Sequence, residues 1–210
     1  MLYRSLDIDL QRNGEPATVV FSITDPHSDP ATDQFRCEYL VRGISGAEFP
    51  RIVLGSDSMG AIEKALEAIT ILANCLLGQF DSPEPSNPRV GALGFRIIPD
   101  LQMAIRLYRR GQFVDALPYL MLFVESNVAE LQLLVGSALY LARSSDSVIG
   151  RSAFRWCEMA AEQGLGQAYA YMTEVCRRFP IEFADEGRNI ERYIEQSRAL
   201  GFIAPGICEN

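Results

Sequence analysis

CEMAAEQGLGQA, residues 157–168, sets two adjacent alanines, Ala160 and Ala161, ahead of Gly164 in a stretch that otherwise reads as helix. A glycine just past an apolar helical face is a stop signal, because it adopts the left-handed backbone at no steric cost. Alanines one turn earlier leave room for a close neighbouring helix. Outward from this stretch the pattern recurs. Ala116-Leu-Pro-Tyr119, Ala153-Phe-Arg-Trp156 and Ile190-Glu-Arg-Tyr193 lie 37 residues apart, each with an aromatic three places after a small or apolar residue. Asn127, Gly164 and Gly201 share one column at the same spacing, and Leu131 and Ala168 share the next apolar one. Asn and Gly are the residues that most readily end a helix in the left-handed conformation.

The unit is therefore a helix that starts near the small residue, stops at Asn or Gly and turns at once into a second helix, as in an α-solenoid. Caps and breakers predict helices over 100–110, 113–126, 128–142, 151–163, 166–178 and 188–200, with Pro180 and Gly187 bounding the last connection. The segment AFRWCEMAAEQGLGQAYAYM resembles the Sel-one-like repeat, a branch of the tetratricopeptide superfamily. Ala153, Trp156, Ala160, Ala161, Gly164 and Ala168 match its pattern column by column. The flanking units depart from it: Phe123-Val124 and Ser197-Arg198 stand where the alanine pair belongs, and Pro118 lies inside the earlier helix. The resemblance implies a concave surface that binds a peptide or protein, and no catalysis.

The first half alternates instead. Leu6, Ile8 and Leu10 precede Asn13-Gly14, the dipeptide of a tight hairpin, after which Val19, Phe21 and Ile23 resume on one face. The segment DPHSDPATD reads as a loop. QFRCEYLVRG then places Phe35, Cys37, Tyr39 and Val41 on one face, and FPRIVLG gives a fourth strand. All four strands read as half-buried and antiparallel. From GSDSMG the period changes to that of a helix capped by Ser56 or Asp57, with Met59, Ile62, Leu66, Ile69, Ala73 and Leu76 as its apolar stripe. The expected architecture is an α+β N-terminal module over 1–78 (four-stranded antiparallel sheet plus one long helix), a Pro-rich linker over 79–99, an all-α helical-repeat domain over 100–204 and a tail over 205–210. VGALGFRII inside the linker has the composition of a short strand.

Composition narrows the function. The 210 residues are 48% hydrophobic and 22% charged, which is globular, and the formal net charge of −8 opposes binding to a phosphate backbone. A basic protein partner would be attracted. The first ten residues hold Arg4, Asp7 and Asp9, unlike a secretory signal, and no apolar run is long enough to span a membrane, so the expected location is the cytoplasm. Five scattered cysteines without a CxxC pair read as reduced thiols, four of them in the core and Cys208 exposed in the tail. His27 is the only histidine, so a His-pair metal site is excluded, and between Pro26 and Pro30 it reads as a solvated loop residue. GxSxG, GxxxxGK[ST], HExxH and GxGxxG are all absent. No catalytic residue, cofactor or metal is expected. The expected role is a protein-binding module, most sharply an immunity-type inhibitor of a bacterial toxin or effector with a basic domain, or else a scaffold or regulatory adaptor, with an enzyme holding an unrecognised site as the third reading. The residues expected at the partner are Tyr140, Tyr169 and Tyr171 as aromatic anchors, with Glu174, Glu182, Asp185 and Glu186 as the acidic contacts.

Overall fold

The computed structural model describes residues 2–12, 15–42, 51–77, 98–142, 146–180, 183 and 189–200, with backbone alone for 2–12, 15–18, 76 and 77. The chain divides into two compact units, Met1–Gln102 and Met103–Asn210.

In the first unit the alternating segments form an antiparallel sheet of β1 (Leu2–Arg12), β2 (Glu15–Thr24), β3 (His27–Asp29), β4 (Gln34–Arg42) and β5 (Arg51–Gly55). Arg12 pairs with Glu15, which leaves Asn13-Gly14, outside the described residues, as a two-residue connection. Tyr39 of β4 pairs with Ile23 of β2 and with Arg51 of β5, so β4 runs between them. Arg36 likewise pairs with both His27 and Leu54, which puts β3 on the same side of β4 as β2. The expected loop at 25–33 thus contains a short strand that continues β2.

Pro26 explains the break between them. It has no N–H for the ladder. The register moves on by one residue between Ile23–Tyr39 and His27–Arg36, as at a bulge. Thr24 fills the gap: its Oγ1 accepts the Glu38 N–H at 3.1 Å and donates to the Glu38 carbonyl at 3.3 Å. The hairpin closes through Asp29, whose Oδ1 accepts the Ala31 N–H at 3.0 Å, and Asp33, which takes a left-handed φ of 54°.

Val19, Phe21, Ile23, Cys37 and Tyr39 are buried, as the alternation requires. Helix α1 (Ser58–Leu77) packs on β2, β4 and β5. Asp57 caps it, its Oδ1 accepting the Gly60 N–H at 2.7 Å. The buried stripe differs from the expected one. Met59 is 62% exposed and Ile62 and Leu66 are half-buried, whereas Ala61, Ala65 and Ala68 join Ile69, Leu72 and Ala73 in the core. The alanines face the sheet because α1 comes too close for larger residues: a Cβ on Gly55 would lie 2.2 Å from the Ala61 nitrogen. Asn74, fully buried, accepts the Ile98 N–H at 2.9 Å, and the Gln102 amide donates to its carbonyl at 2.9 Å, fastening the start of α2.

The remaining helices are α2 (Pro99–Arg109), α3 (Phe113–Met121), α4 (Ala129–Leu141), α5 (Ser147–Glu162), α6 (Gly166–Arg178) and α7 (Ile190–Ala199), making seven among the described residues. Gly164 ends α5 as its sequence demands. At φ 87° its N–H reaches the Ala161 carbonyl at 2.8 Å while the Leu165 N–H reaches the Ala160 carbonyl at 3.2 Å, the bond pair of a Schellman cap. Asn127 is left-handed too, at φ 54°. Its Oδ1 accepts from the buried Gln132 amide at 2.8 Å, and Gln163 donates to Gln132 Oε1 at 2.8 Å. Gly201 lies outside the described residues.

Two boundaries differ from the expected ones. Helix α3, with Pro118 inside it, stops at Met121, and a separate 3-10 turn follows over Val124–Ser126, with the Phe123 N–H on the Leu120 carbonyl at 3.1 Å and the Ser126 N–H on the Phe123 carbonyl at 3.1 Å. Helix α5 starts at Ser147 because Asp146 caps it, Oδ1 accepting the Val148 N–H at 2.8 Å. The core of this unit is Ala129, Ala153, Phe154, Cys157, Ala160, Ala161, Ala168 and Met172 with Phe179, Phe183 and Tyr193 around them. Gly136 sets the spacing of α4 and α5, since a Cβ there would fall 2.7 Å from Cys157 Sγ and 3.0 Å from the Ala153 carbonyl.

Candidate functional site

Of the seven residues expected at a partner, the structure gathers three. Tyr140 on α4 and Tyr171 on α6 meet edge to face, ring centroids 6.3 Å apart, and the Arg178 guanidinium lies over Tyr140 at 5.4 Å. Arg178 Nη1 also donates to the Tyr140 carbonyl at 2.9 Å. Glu174, ion-paired to Arg177 at 2.8 Å, is near enough to act on Tyr140. Burial first, then Glu174, pushes the Tyr140 hydroxyl above its ordinary pKa, and Arg178 opposes them.

Sequence reading passed over the residue that completes this cluster. Tyr108 on α2 hydrogen-bonds Tyr171 and lies 2.8 Å from Ser137 Oγ. Ser137 is buried, its Oγ 2.7 Å from the Leu133 carbonyl and 3.2 Å from the Leu134 carbonyl, and either hydroxyl of the Tyr108–Ser137 pair can be the donor. Burial, then Tyr108, raise the Tyr171 pKa far above its ordinary value. Tyr140 and Tyr171 are both half-buried, packed against the core of this unit with part of their surface open to solvent.

Tyr169 is separate. It lies on the other flank of α6, stacked on Tyr193 at 6.1 Å, where Tyr193 also packs on Phe154 at 6.2 Å. Glu182, Asp185 and Glu186 lie outside the described residues. His27 is exposed in β3 opposite Arg36. No group of three or more His, Cys, Asp or Glu among the described residues is placed to hold a metal. Cys157 is fully buried and its thiol is pushed up to about 12 by burial, which suits a core residue and not a nucleophile. No helix among the described residues is long and apolar enough to cross a membrane.

A second surface was not anticipated. Helix α3 buries Ala116 and Leu120 yet exposes Val114 (66%) and Met121 (46%), with Pro118 exposed between them and the C-cap residue Leu122 (64%) exposed beyond its end. Positions 114, 118, 121 and 122 form one helical stripe. At the 37-residue spacing, α5 carries Arg151 and Arg155, both exposed, and Glu158 paired with Arg155. Helix α7 carries exposed Arg192 and Glu195. Charge occupies the columns of Val114, Pro118 and Met121 in α5 and those of Pro118 and Met121 in α7, whereas the Leu122 column holds Met159 and Gln196. No family model matches the chain, and no curated protein or solved structure is significantly similar to it.

Proposed function

We propose that the chain is a non-catalytic protein-binding module, its helical unit a short array of Sel-one-like repeats. Within that class its best reading is a cytoplasmic immunity-type inhibitor of a bacterial toxin or effector. One observation supports the reading: Asn127 and Gly164, 37 residues apart, are both left-handed and are each followed by an extended residue, Val128 or Leu165, that opens the next helix, Asn127 closing a 3-10 turn and Gly164 closing α5 itself. Ala116 and Ala153, and Leu131 and Ala168, are fully buried at equivalent columns. Stacked helix pairs of this kind act through the surface they present.

The contact surface in this proposal is the cluster of Tyr140, Tyr171 and Glu174 backed by Tyr108 and Arg178. Tyrosines held in place before binding lose little side-chain entropy on contact, which makes them effective anchors. A chain with formal net charge −8 draws a basic partner from a distance. The test is affinity capture from the native host's lysate with tagged full-length chain, then binding kinetics with the captured protein. One stoichiometric partner whose association slows at least about tenfold between low and about 0.5 M salt supports the inhibitor reading. A partner bound weakly and without salt dependence would favour the adaptor instead, and capture of nothing would refute both.

A further inference from the structure

We infer that Lys64 guards the outer edge of β5 and keeps the sheet of the first unit from adding the same strand of a second copy. The inference goes beyond the proposed function and involves a different surface. Thr24 Oγ1 bonds both the N–H and the carbonyl of Glu38, so those two groups point towards β2. Successive residues of an antiparallel strand turn their backbone groups to opposite sides, which aims Cys37 at β5 and lets it exchange both bonds with Val53. Ile52 and Leu54, opposite Glu38 and Arg36, therefore turn their N–H and carbonyl groups away from β4. Among the described residues no strand pairs with that side of β5, and Ile52 is 49% exposed.

This edge is self-complementary. Two copies of β5 related by a two-fold at Val53 set Ile52 of each against Leu54 of the other, and both pairs can then exchange two backbone bonds. Lys64 stands in the way. Helix α1 presses on the end of β5 at Gly55, where an added Cβ would lie 2.2 Å from the Ala61 nitrogen. Lys64 follows Ala61 by one turn, and its Nζ donates to the outward Leu54 carbonyl at 2.7 Å. A second β5 would have to take that carbonyl and hold the displaced ammonium beside its own N–H groups, which is how a lysine on an edge opposes strand pairing.

Sedimentation equilibrium of the purified full-length chain up to about 500 µM tests this, in about 0.5 M salt so that the net charge of −8 on each copy is screened. Wild type should stay at 23.4 kDa. Lys64→Met, which keeps the length of the side chain without its charge, should raise the weight-average mass towards twice that value. Lys64→Arg keeps a cationic donor and should behave as wild type. Ile52→Pro added to Lys64→Met should return the mass to that of wild type, because it removes an outward N–H of the edge and no bond to β4. Circular dichroism should match wild type throughout, since Ile52 and Lys64 are both exposed. Lys64→Met that stays at the lower mass overturns the proposal, as does wild type or Lys64→Arg associating as strongly as Lys64→Met. Association that survives Ile52→Pro in a folded chain also overturns it. No other protein enters these experiments, so their failure is independent of the proposed function.

Discussion

Gly136→Ala tests how closely α4 and α5 approach. The added Cβ would meet Cys157 Sγ at 2.7 Å, the Ala153 carbonyl at 3.0 Å and the Cys157 nitrogen at 3.1 Å. Two of those contacts are backbone, and the third is a fully buried thiol with no free space to turn into. Alanine gains about 1 kcal/mol over glycine inside a helix, and overpacking at a site this confined costs about 3 kcal/mol. The net effect is a loss of about 2 kcal/mol. Cys157→Ala alone should cost about 1 kcal/mol for the small void it leaves. In the double variant that void takes up the new methyl, so the two effects should fall short of additivity by about 1–2 kcal/mol. Urea unfolding followed by fluorescence measures this in the right place, because Trp156, the only tryptophan, adjoins Cys157 in α5. A neutral or stabilised Gly136→Ala, or strict additivity in the double variant, would refute the close approach.

Gly164→Ala should destabilise the same unit by about 1–2 kcal/mol in that assay, since the left-handed φ of 87° crowds any Cβ. Asp146→Ala removes the cap on α5 and should cost about 1 kcal/mol, read as a lower urea midpoint. Alkaline pH should unfold the helical unit. Folding favours the protonated Cys157 thiol, so this stabilising effect is whole below its ordinary pKa of 9.0 and is lost as pH rises towards about 12. Tyr171, also raised, adds to the loss above its ordinary 10.0. Unfolding curves between pH 8 and 11 check this, and Cys157→Ala should flatten the dependence that begins near pH 9.

Local chemistry was the legible part of this fold. Gly164 ends its helix as a left-handed residue must, and the alternation of Val19, Phe21, Ile23, Cys37 and Tyr39 fixed the buried face of the sheet. The errors arose where one residue served two elements. Pro26 breaks a strand without ending it, because Thr24 replaces the missing ladder bond with its side chain. Asp146 reads as loop within a run of serines and aspartate, yet it is a helix cap. The stripe of α1 was misplaced because its alanines pack closest to the sheet, a preference set by the approach distance at Gly55 and not by hydrophobicity. At the candidate site the sequence marked Tyr140 and Tyr171. It did not reveal Tyr108, whose relation to Tyr171 and Ser137 depends on three helices meeting. Tyr169 was grouped with them by proximity in sequence, but 169 and 171 fall on opposite flanks of one helix.

The central claim, that a tyrosine cluster on a helical array binds a protein, is tested most directly by titrating the captured partner onto the wild-type chain and onto Tyr140→Ala. Calorimetry should show a loss of affinity of at least about tenfold for Tyr140→Ala while the variant still unfolds cooperatively in urea as a folded chain. Unchanged affinity in a variant that remains folded would contradict the account.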